Sequence, residues 1–419
     1  MAAGPGGASL AYRLASTGKR ILVLERGDYL PRSQNNWNSQ VVFVDAAYQA
    51  KDTWTNAAGD TFSPGLRYYV GGNSKVYGAA LLRLREQDFG EVPHSACSSF
   101  DGFPCLLNGK ADAQVICIDP MLAKYPNVRL LTRAYVSKIS TDSSGRTVNA
   151  VHVTREGREE LYSADIVVVA CGALSSALLL LRSASDAHPD GLANGSGQVG
   201  RNYMRHNMCV LMAIMPEGND TVFQKTLAFS DFYFNANDWD HPLGLIQMCA
   251  TSHSDQIRGE ALPQWLEWLP EKPFKLMARH SMDFWLQAED LPHPDNRVYY
   301  KDGKVHLDLI ETNPQALAHL RRKLKQVLNR AGHRAIFFER SLYLGKDIPL
   351  GGTAHQAGTA RFGTDPATSV LDLNCKAHEL DNLYLADASF FPAIGAVNPT
   401  LTIIANALRV ADRIAERLK

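Results

Sequence analysis

Hydrophobic and polar positions alternate in a way that predicts helices and strands in turn near both ends of the chain. Apolar residues recur at helical spacing over residues 9–17, and the apolar run Ile21–Glu25 predicts a buried strand after that helix. Near the C-terminus, Leu383–Ala386 predicts another strand, and a last helix is predicted from Pro399. Such alternation is typical of an α/β domain.

The segment from residue 128 to residue 182 predicts several strands and then a buried helix. The strands are predicted at Val128–Leu131, Val136–Ile139, Val148–Val153 and Ile166–Ala170, and the helix at Leu174–Arg182. This order suits an α/β sheet into which a β-meander is inserted. Residues 28–68 show no clear period and are interpreted as a long excursion, and residues 90–110 as a loop.

Residues 208–310 have a different pattern, in which short β-like runs alternate with loops rich in Pro and Trp. The runs are Met208–Met215, Leu243–Cys249 and Phe284–Ala288, and Arg297–Tyr300 and Val305–Leu309 flank the turn residues 301–304 of a predicted hairpin. We assign this stretch to a second domain built on an antiparallel sheet. An amphipathic helix is predicted at Leu317–Leu328.

Composition and charge exclude several classes of function. The 419 residues are too many for one compact core of ordinary size, so two domains or one large composite domain is expected. Lys plus Arg and Asp plus Glu both number 43, so the formal net charge is zero, which gives no electrostatic case for nucleic acid or an anionic membrane. The longest apolar stretch, Ile166–Leu181, is broken by Gly172, Ser175 and Ser176 and falls short of a membrane span.

The cysteines and the N-terminus bear on the compartment. Seven cysteines occur at irregular spacing without a CxxC pair, so neither a zinc site nor a thioredoxin-like site is predicted, and no metal is expected. We expect free thiols in a reducing compartment. No basic segment followed by an apolar stretch marks a signal peptide at the N-terminus. A cytoplasmic location is therefore expected, and the oligomeric state stays open.

The first candidate site is the glycine turn Gly4-Pro5-Gly6-Gly7, which is followed by a helix and by Glu25 at the end of the next strand. Glycines in such a turn let the backbone approach a pyrophosphate at a helix N-terminus. An acidic residue about 20 positions further on accepts hydrogen bonds from the adenosine ribose, and Glu25 lies 21 residues after Gly4. The alternative is a tight turn with a surface Glu.

Three further motifs carry weaker signals when each is considered alone. Small residues in the segment 70–78 let a loop pass close to a flat polar ligand, although a structural turn explains them equally well. His355 lies three residues before Gly358-Thr359, where a surface or core role is the ordinary interpretation. Asn398 directly precedes Pro399, and it is interpreted as a helix N-cap, a catalytic group, or both.

The chain resembles the glucose-methanol-choline oxidoreductases over nearly its whole length, with the pyranose-oxidase branch as the nearest likeness and cholesterol oxidases more distant. The segments that carry the resemblance are GPGGASLAYRLASTGKRILVLERG, GGNSKVYGAALLRLREQDF, IVVVACGALSSALLLLRSA, HQAGTARFGTDPATSVLD and NLYLADASFFPAIGAVNPTLTIIANALRVADRI. They follow one another in the family order. The implied fold is α/β, with an FAD-binding Rossmann-like parallel sheet and β-meander, plus an α+β substrate domain on an antiparallel sheet.

The resemblance also implies a role for each site residue. Gly4, Gly6, Gly7 and Glu25 would hold the ADP half of FAD, Val136 would meet the adenine through its backbone, and Cys171, Gly172 and Ala173 would close over the diphosphate. Gly71, Gly72, Asn73 and Gly78 would lie along the flavin, Asp387 and Ala388 would hold the ribityl–phosphate part, and Thr400 would face the pyrimidine edge. His355 and Asn398 would flank the substrate hydroxyl.

The implied chemistry is oxidation of an alcohol or sugar hydroxyl carbon by hydride transfer to flavin N5. Imidazole, with an unperturbed pKa of about 6.5, suits a general base near neutral pH, so His355 is expected to take the hydroxyl proton while Asn398 orients the same oxygen. The electron acceptor would be oxygen or a quinone. Two alternatives remain open: a sterol or bulky-alcohol oxidase, and a catalytically silent remnant that binds FAD poorly.

The sequence departs from the family pattern in three places. Ala2 stands where the family has its first glycine, and the strand that normally precedes it is not seen. Only Gly90–Phe100 joins Phe89 to Asp101, where the family has a longer segment. Val76 stands where pyranose oxidases attach FAD covalently through a His, so we expect non-covalent FAD.

The expected domain organisation follows from these motifs. Residues 1–89 form the N-terminal part of the FAD-binding domain, apparently without its first strand, and residues 90–207 form the part with the β-meander. Residues 208–345 form the substrate-binding domain, and residues 346–419 the C-terminal FAD-binding and catalytic segment.

Overall fold

The computed structural model describes residues 2–81, 102–220, 227–261, 270–339 and 355–419. The helices in these residues are α1 (Pro5–Ala15), α2 (Asp119–Lys124), α3 (Ala173–Arg182), α4 (Ser254–Ala261), α5 (Lys272–His280), α6 (Pro314–Arg330) and α7 (Thr400–Arg417). The strands are β1 (Ile21–Leu24), β2 (Trp54–Thr55), β3 (Thr61–Phe62), β4 (Val128–Leu131), β5 (Ala134–Thr141), β6 (Val148–Arg155), β7 (Arg158–Tyr162), β8 (Val167–Val169), β9 (Met204–Arg205), β10 (Asn207–Ile214), β11 (Ala228–Phe229), β12 (Leu245–Ala250), β13 (Ser281–Ala288), β14 (Arg297–Lys301), β15 (Lys304–Asp308), β16 (Ile336–Glu339), β17 (Gln356–Ala357) and β18 (Leu383–Leu385).

Two of the parallel pairings in the described residues form two-stranded sheets of their own. Strand β1 pairs with β4, and strand β18 pairs with β8, each in parallel register. Helix α1 begins at Pro5, earlier than the predicted start, so Gly6 and Gly7 lie inside the helix rather than in the turn. Both glycines are buried, and α1 packs against α7 beside the ends of these strands. The predicted mixture of parallel α/β and antiparallel elements is confirmed.

The inserted β-meander is also present, formed by β5, β6 and β7 in antiparallel order. Its third strand, β7, has the sequence REELY and buries none of its side chains. The sequence did not predict this strand because its polar residues give no apolar alternation. The predicted strand at Ile166–Ala170 corresponds to β8, which belongs to a parallel pair.

The five-stranded antiparallel sheet has the strand order β11-β12-β13-β10-β16. The three runs predicted for it correspond to β10, β12 and β13, although β13 begins at Ser281, earlier than expected. Helix α6 packs on this sheet and supplies Leu317, Leu320 and Leu324 to a core that is separate from the core around the parallel strands. The sheet therefore gives the second half of the chain its own hydrophobic core.

The predicted hairpin exists, but it lies in a different sheet from the one that the sequence suggests. Strands β14 and β15 pair antiparallel across the turn between Lys301 and Lys304. They join β2 and β3 in a four-stranded sheet, through the pairing of His306 with Thr55. The excursion at residues 28–68 thus contributes two short strands. Local turn chemistry specifies a hairpin, whereas the edge that it joins depends on packing far along the chain.

The helices and the cysteines of the described residues bear on membrane spanning and on disulfide bonds. Among the helices of the described residues, none combines the length and apolar composition that crossing a bilayer requires. The cysteines with described positions, residues 105, 117, 171, 209, 249 and 375, are not joined to one another by disulfides. Cys97 and the short connection at Gly90–Phe100 lie outside the described residues, as do the expected domain boundaries at residues 89–90 and 345–346.

The close approach of α1 to β18 makes Gly6 a test of this packing. A Cβ atom at Gly6 would lie 1.8 Å from the carbonyl oxygen of Ala386, so we expect Gly6→Ala to lower the free energy of unfolding by at least about 2 kcal/mol. A Cβ atom at Gly4 would have no neighbour within 4 Å, so Gly4→Ala should change the free energy of unfolding by less than about 0.5 kcal/mol. Urea unfolding of both variants measures the difference. Equal stability would contradict this packing.

Candidate functional site

A cleft of about 780 Å³ is lined by residues from both halves of the chain. The predicted site residues that line it are Gly4, Gly6, Glu25, Gly72, Asn73, Gly78, Val136, Cys171, Gly172, Ala173, His355, Asp387, Ala388, Asn398 and Thr400. Gly7 and Gly71, which were also predicted as ligand contacts, are not part of its lining. Motifs that are far apart in the sequence therefore meet around one cleft.

The glycines of the N-terminal turn divide into two kinds. Gly4 caps α1, and a Cβ atom there would enter open space on the cleft side. At Gly7, a Cβ atom would lie 2.1 Å from the carbonyl oxygen of Ala2 and 3.1 Å from Cβ of Ala170. Gly7 thus permits close packing of α1 against neighbouring backbone, which is the function of the last glycine in a dinucleotide-binding turn.

Glu25 lies at the end of β1 with its carboxylate buried. Its Oε2 accepts a hydrogen bond of 2.8 Å from the backbone N–H of Ala3, and its Oε1 accepts one of 3.1 Å from the N–H of Gly27. Burial raises the pKa of Glu25, while these backbone hydrogen bonds oppose that shift. The surface-Glu alternative is therefore wrong, because this side chain is 5% exposed and joins the strand end to the glycine turn.

Asp387 follows β18 and is held by the protein itself. Its Oδ2 accepts hydrogen bonds from the N–H of Gly172, at 3.0 Å, and from the hydroxyl of Ser176. Its Oδ1 accepts from the N–H of Ser389, at 2.8 Å, and from the hydroxyl of the same residue. Because the carboxylate of Asp387 already accepts four hydrogen bonds, the main effect of this residue is to fix the start of α3 beside the end of β18.

The end of the cleft near Glu25 contains aromatic and cationic residues that the sequence did not indicate. The guanidinium of Arg26 lies 3.9 Å from the ring centre of Tyr68 and 4.9 Å from that of Tyr135. The guanidinium of Arg182 also lies near Tyr135, 5.2 Å from the ring centre. These residues come from separate elements. Only Arg26, which directly follows Glu25, could have been predicted from a motif.

Arg67 is a further cation in the lining of the cleft. Burial lowers its pKa to about 10, and its Nε has no hydrogen-bond partner among the described residues. Such a buried cation suits an anionic ligand. It lies in the excursion at residues 28–68, where no motif drew attention to it.

His355, which also lines the cleft, contacts a second histidine, His206. The backbone pairing of Gln356 with Arg205, between β17 and β9, places the two histidines in adjacent positions. Their Nδ1 atoms are 2.8 Å apart, and the two rings meet edge to face with centres 4.9 Å apart. No motif of the sequence includes His206, which lies between strands β9 and β10.

Asn398 lies in the same group of side chains. Its Oδ1 accepts hydrogen bonds from Nε2 of Gln247, at 2.6 Å, and from Nε2 of Gln287, at 3.0 Å. Oε1 of Gln287 lies 3.1 Å from Nδ1 of His206, so a continuous chain of contacts links Asn398 to His355. The N-cap interpretation of Asn398 is not supported, because α7 is capped by Pro399 without a side-chain hydrogen bond.

The comparisons with known proteins show the family to which the chain belongs. The description "GMC oxidoreductase" matches residues 69–208 for the N-terminal part of the family and residues 292–407 for the C-terminal part. The chain belongs to the GMC oxidoreductase family. Among solved structures it is similar to pyridoxine 4-oxidase from Mesorbium loti, with a TM-score of 0.67, 17% identity and coverage of 99% of this chain and 98% of that one. This likeness concerns the fold alone.

Two curated relatives are oxidases by name. The 6'''-hydroxyparomomycin C oxidase of Streptomyces lividus is 33% identical over 75% of this chain and 56% of that protein. Paromamine 6'-oxidase of Streptomyces fradiae is 32% identical over 74% of this chain and 56% of that protein. The chain thus spans about half the length of these relatives.

The buried position of His206 predicts an acid-dependent loss of stability. Burial lowers its pKa from 6.5 to about 4, so between these pH values the unfolded chain binds a proton that the folded chain does not. Relative to His206→Asn, the wild type should therefore lose about 3 kcal/mol of unfolding free energy as the pH falls from 6.5 to 4.

The measurement is urea unfolding of both proteins at a series of pH values. Above pH 7 the difference between them should be constant, because His206 is then neutral in both states. Curves that stay parallel down to pH 4 would contradict the assignment.

Proposed function

We propose that this protein is an FAD-dependent oxidoreductase that acts on the CH–OH group of a small alcohol or sugar, with oxygen or a quinone as electron acceptor. The observation that carries the proposal is one cleft whose lining includes the glycine turn and Glu25 as well as His355 and Asn398. Val76 in the lining of the cleft offers no nucleophile for a covalent bond, so FAD would bind non-covalently.

The described residues fit an adenine dinucleotide. The volume of about 780 Å³ lies within the usual range of ligand sites, about 300–1,000 Å³. Helices α1 and α3 both begin at the cleft, where Gly4 and Gly172 leave room for a ligand to approach backbone N–H groups. Two helix N-termini and the cation of Arg67 suit the charge of a diphosphate.

Other residues would hold the remaining parts of FAD. Glu25 would bind the ribose and Val136 the adenine, and Gly72, Asn73, Gly78, Ala388 and Thr400 would lie along the ribityl chain and flavin. When bound, FAD would accept the hydride from the substrate carbon. The start of α7 brings partial positive charge to the same end of the cleft.

The chain's own contribution is proton removal and positioning. His355 would take the hydroxyl proton at Nε2, since its Nδ1 faces His206. The carboxamide of Asn398 would orient the same part of the substrate, and its position is fixed by Gln247 and Gln287. The base and the orienting amide are thus held by one buried network.

A sugar-like polyol is the favoured substrate class. The relatives named above are a 6'''-hydroxyparomomycin C oxidase and a paromamine 6'-oxidase. Another relative is the large subunit of a fructose dehydrogenase from Gluconobacter japonicus, 28% identical over 70% of this chain and 54% of that protein. A sterol or other bulky alcohol is the second candidate, because Phe43, Val210 and Trp285 give the cleft apolar surface.

Flavin reduction tests the function directly. Purified protein should be yellow and should lose its flavin absorption under anaerobic conditions with one class in a panel of sugars, glycosides, sterols and simple alcohols. His355→Ala should slow this bleaching by about 10²- to 10⁴-fold, because the general base is lost. His333→Ala, which changes an exposed histidine, is the matched control.

Each outcome has a separate meaning. A colourless, aggregated protein supports the hypothesis of an inactive remnant. A yellow protein in which His355→Ala bleaches at the normal rate refutes His355 as the base.

Gly4 tests the cofactor position without catalysis. Because a Cβ atom there enters the cleft and touches no protein atom within 4 Å, Gly4→Ala should weaken FAD binding by about tenfold or more while the fold is retained. Titration of the flavin-free protein with FAD, followed by quenching of flavin fluorescence, gives the Kd. Gly218→Ala, at an exposed position outside the cleft lining where a Cβ atom would make only ordinary contact with Arg279, is the control. Unchanged affinity in Gly4→Ala would place the diphosphate elsewhere.

A further inference from the structure

His206 is an unusual neighbour for a histidine at a reaction centre. It is 1% exposed, and its Nδ1 lies 2.8 Å from Nδ1 of His355. At this distance a single hydrogen must lie between the two nitrogens, because two lone pairs or two N–H groups facing each other would repel. The tautomers of the two rings are therefore coupled.

Burial makes His206 a neutral partner. The pKa of this ring is lowered to about 4, so near neutral pH it carries one hydrogen, on either Nδ1 or Nε2. It can therefore donate to His355 or accept from it, but it does not act as a second cation. Gln287 is also neutral and can donate or accept a hydrogen bond. It is fully buried and contacts both His206 and Asn398.

The network has two internally consistent orders of hydrogen bonds. In one, Nδ1 of His206 donates to His355 and to Oε1 of Gln287, and Asn398 accepts through Oδ1. A half-turn of the carboxamides of Gln287, Asn398 and Gln247 exchanges nitrogen and oxygen at the same positions. In that second order, Nδ1 of His206 accepts from both neighbours.

Only the second order leaves Nε2 of His355 without a hydrogen, so that it can accept a proton from the substrate. A neutral imidazole carries one hydrogen, so if Nδ1 of His355 accepts from His206, the hydrogen of His355 must be on Nε2. We propose that His206 is a positioning residue that accepts the hydrogen on Nδ1 of His355 and thereby keeps Nε2 of His355 unprotonated. This inference rests on the proposed function in one respect, which is that Nε2 of His355 accepts the substrate proton. The tautomer of His355 is a property of the protein without substrate.

The same arrangement operates after the proton has moved. The hydroxyl proton goes to Nε2 of His355, and the charged ring still donates its Nδ1 hydrogen to the neutral His206. A hydrogen bond from a charged donor is stronger than a neutral one, so His206 stabilises the protonated form of His355. This role is that of the orienting group in a nucleophile–base–orienter array, performed here by an imidazole.

Nitrogen NMR tests the tautomer without a substrate. In protein labelled with ¹⁵N-histidine at pH 8, signals of the two rings are identified by their loss in His355→Gln and His206→Gln. We expect His355 to be protonated at Nδ1 and unprotonated at Nε2, and His206 the reverse. An unprotonated Nδ1 of His355 in the wild type would overturn the proposal, whatever reaction the protein catalyses.

Kinetics test the consequence. His206→Leu removes the acceptor, so bleaching at saturating concentration of the most effective alcohol of the panel should slow by about 10- to 100-fold with little change in KM. Because the protonated form of His355 loses its partner, the acid limb of the pH profile should move to lower pH. His206→Gln, whose amide oxygen can accept the same hydrogen, should recover most of the rate, and His152→Gln, on the β-meander, should change nothing.

The outcomes separate the inference from the proposed function. Loss of bleaching in His355→Ala with an unchanged rate and pH profile in His206→Leu would overturn the inference alone. If no alcohol of the panel bleaches the flavin, the proposed function fails, and the NMR measurement still decides the tautomer. If His206→Leu does not fold, the wild-type spectrum and His206→Gln give the same decision.

Discussion

The short antiparallel pairing of β9 with β17 is the constraint on which the rest of the site depends. It joins two dipeptides, Met204–Arg205 and Gln356–Ala357, and so brings His206 and His355 together although they are 149 residues apart in the chain. Because β10 follows β9 directly, the same pairing connects the cleft to an interior strand of the five-stranded antiparallel sheet. Backbone hydrogen bonds of this kind fix side-chain positions more firmly than contacts between loops do.

The parts of the site that the sequence predicted are those built from local geometry. A glycine turn, a helix and a strand that ends in Glu25 follow one another within 22 residues, and the structure places Gly4 and Glu25 on one cleft. Asn398 was singled out because it directly precedes Pro399 at the predicted start of a helix, whereas Thr400 was named only through the family resemblance. Helices α1, α3, α6 and α7 and most of the buried strands were predicted because their apolar residues repeat with a clear period, whereas α2, α4 and α5 were not predicted.

The parts that the sequence did not predict arise from pairing between distant strands. His206, Gln247 and Gln287 lie on or next to β10, β12 and β13, and none belongs to a motif. Their proximity follows from strand order, which a hydrophobic pattern does not specify. The hairpin β14–β15 shows the same limit, since its turn was predicted correctly and its sheet was not. The domain division that the motifs suggested remains a prediction.

The neutral character of the network explains why it can lie deep in the fold. His206, Gln247 and Gln287 are each no more than 2% exposed, and a carboxylate at any of these positions would carry a large desolvation cost. Amide and imidazole groups can satisfy one another without charge. Under the proposed function, a neutral acceptor orients the ring of His355 by a hydrogen bond without placing a second charge beside it, so the buried network stays uncharged while the base awaits its proton.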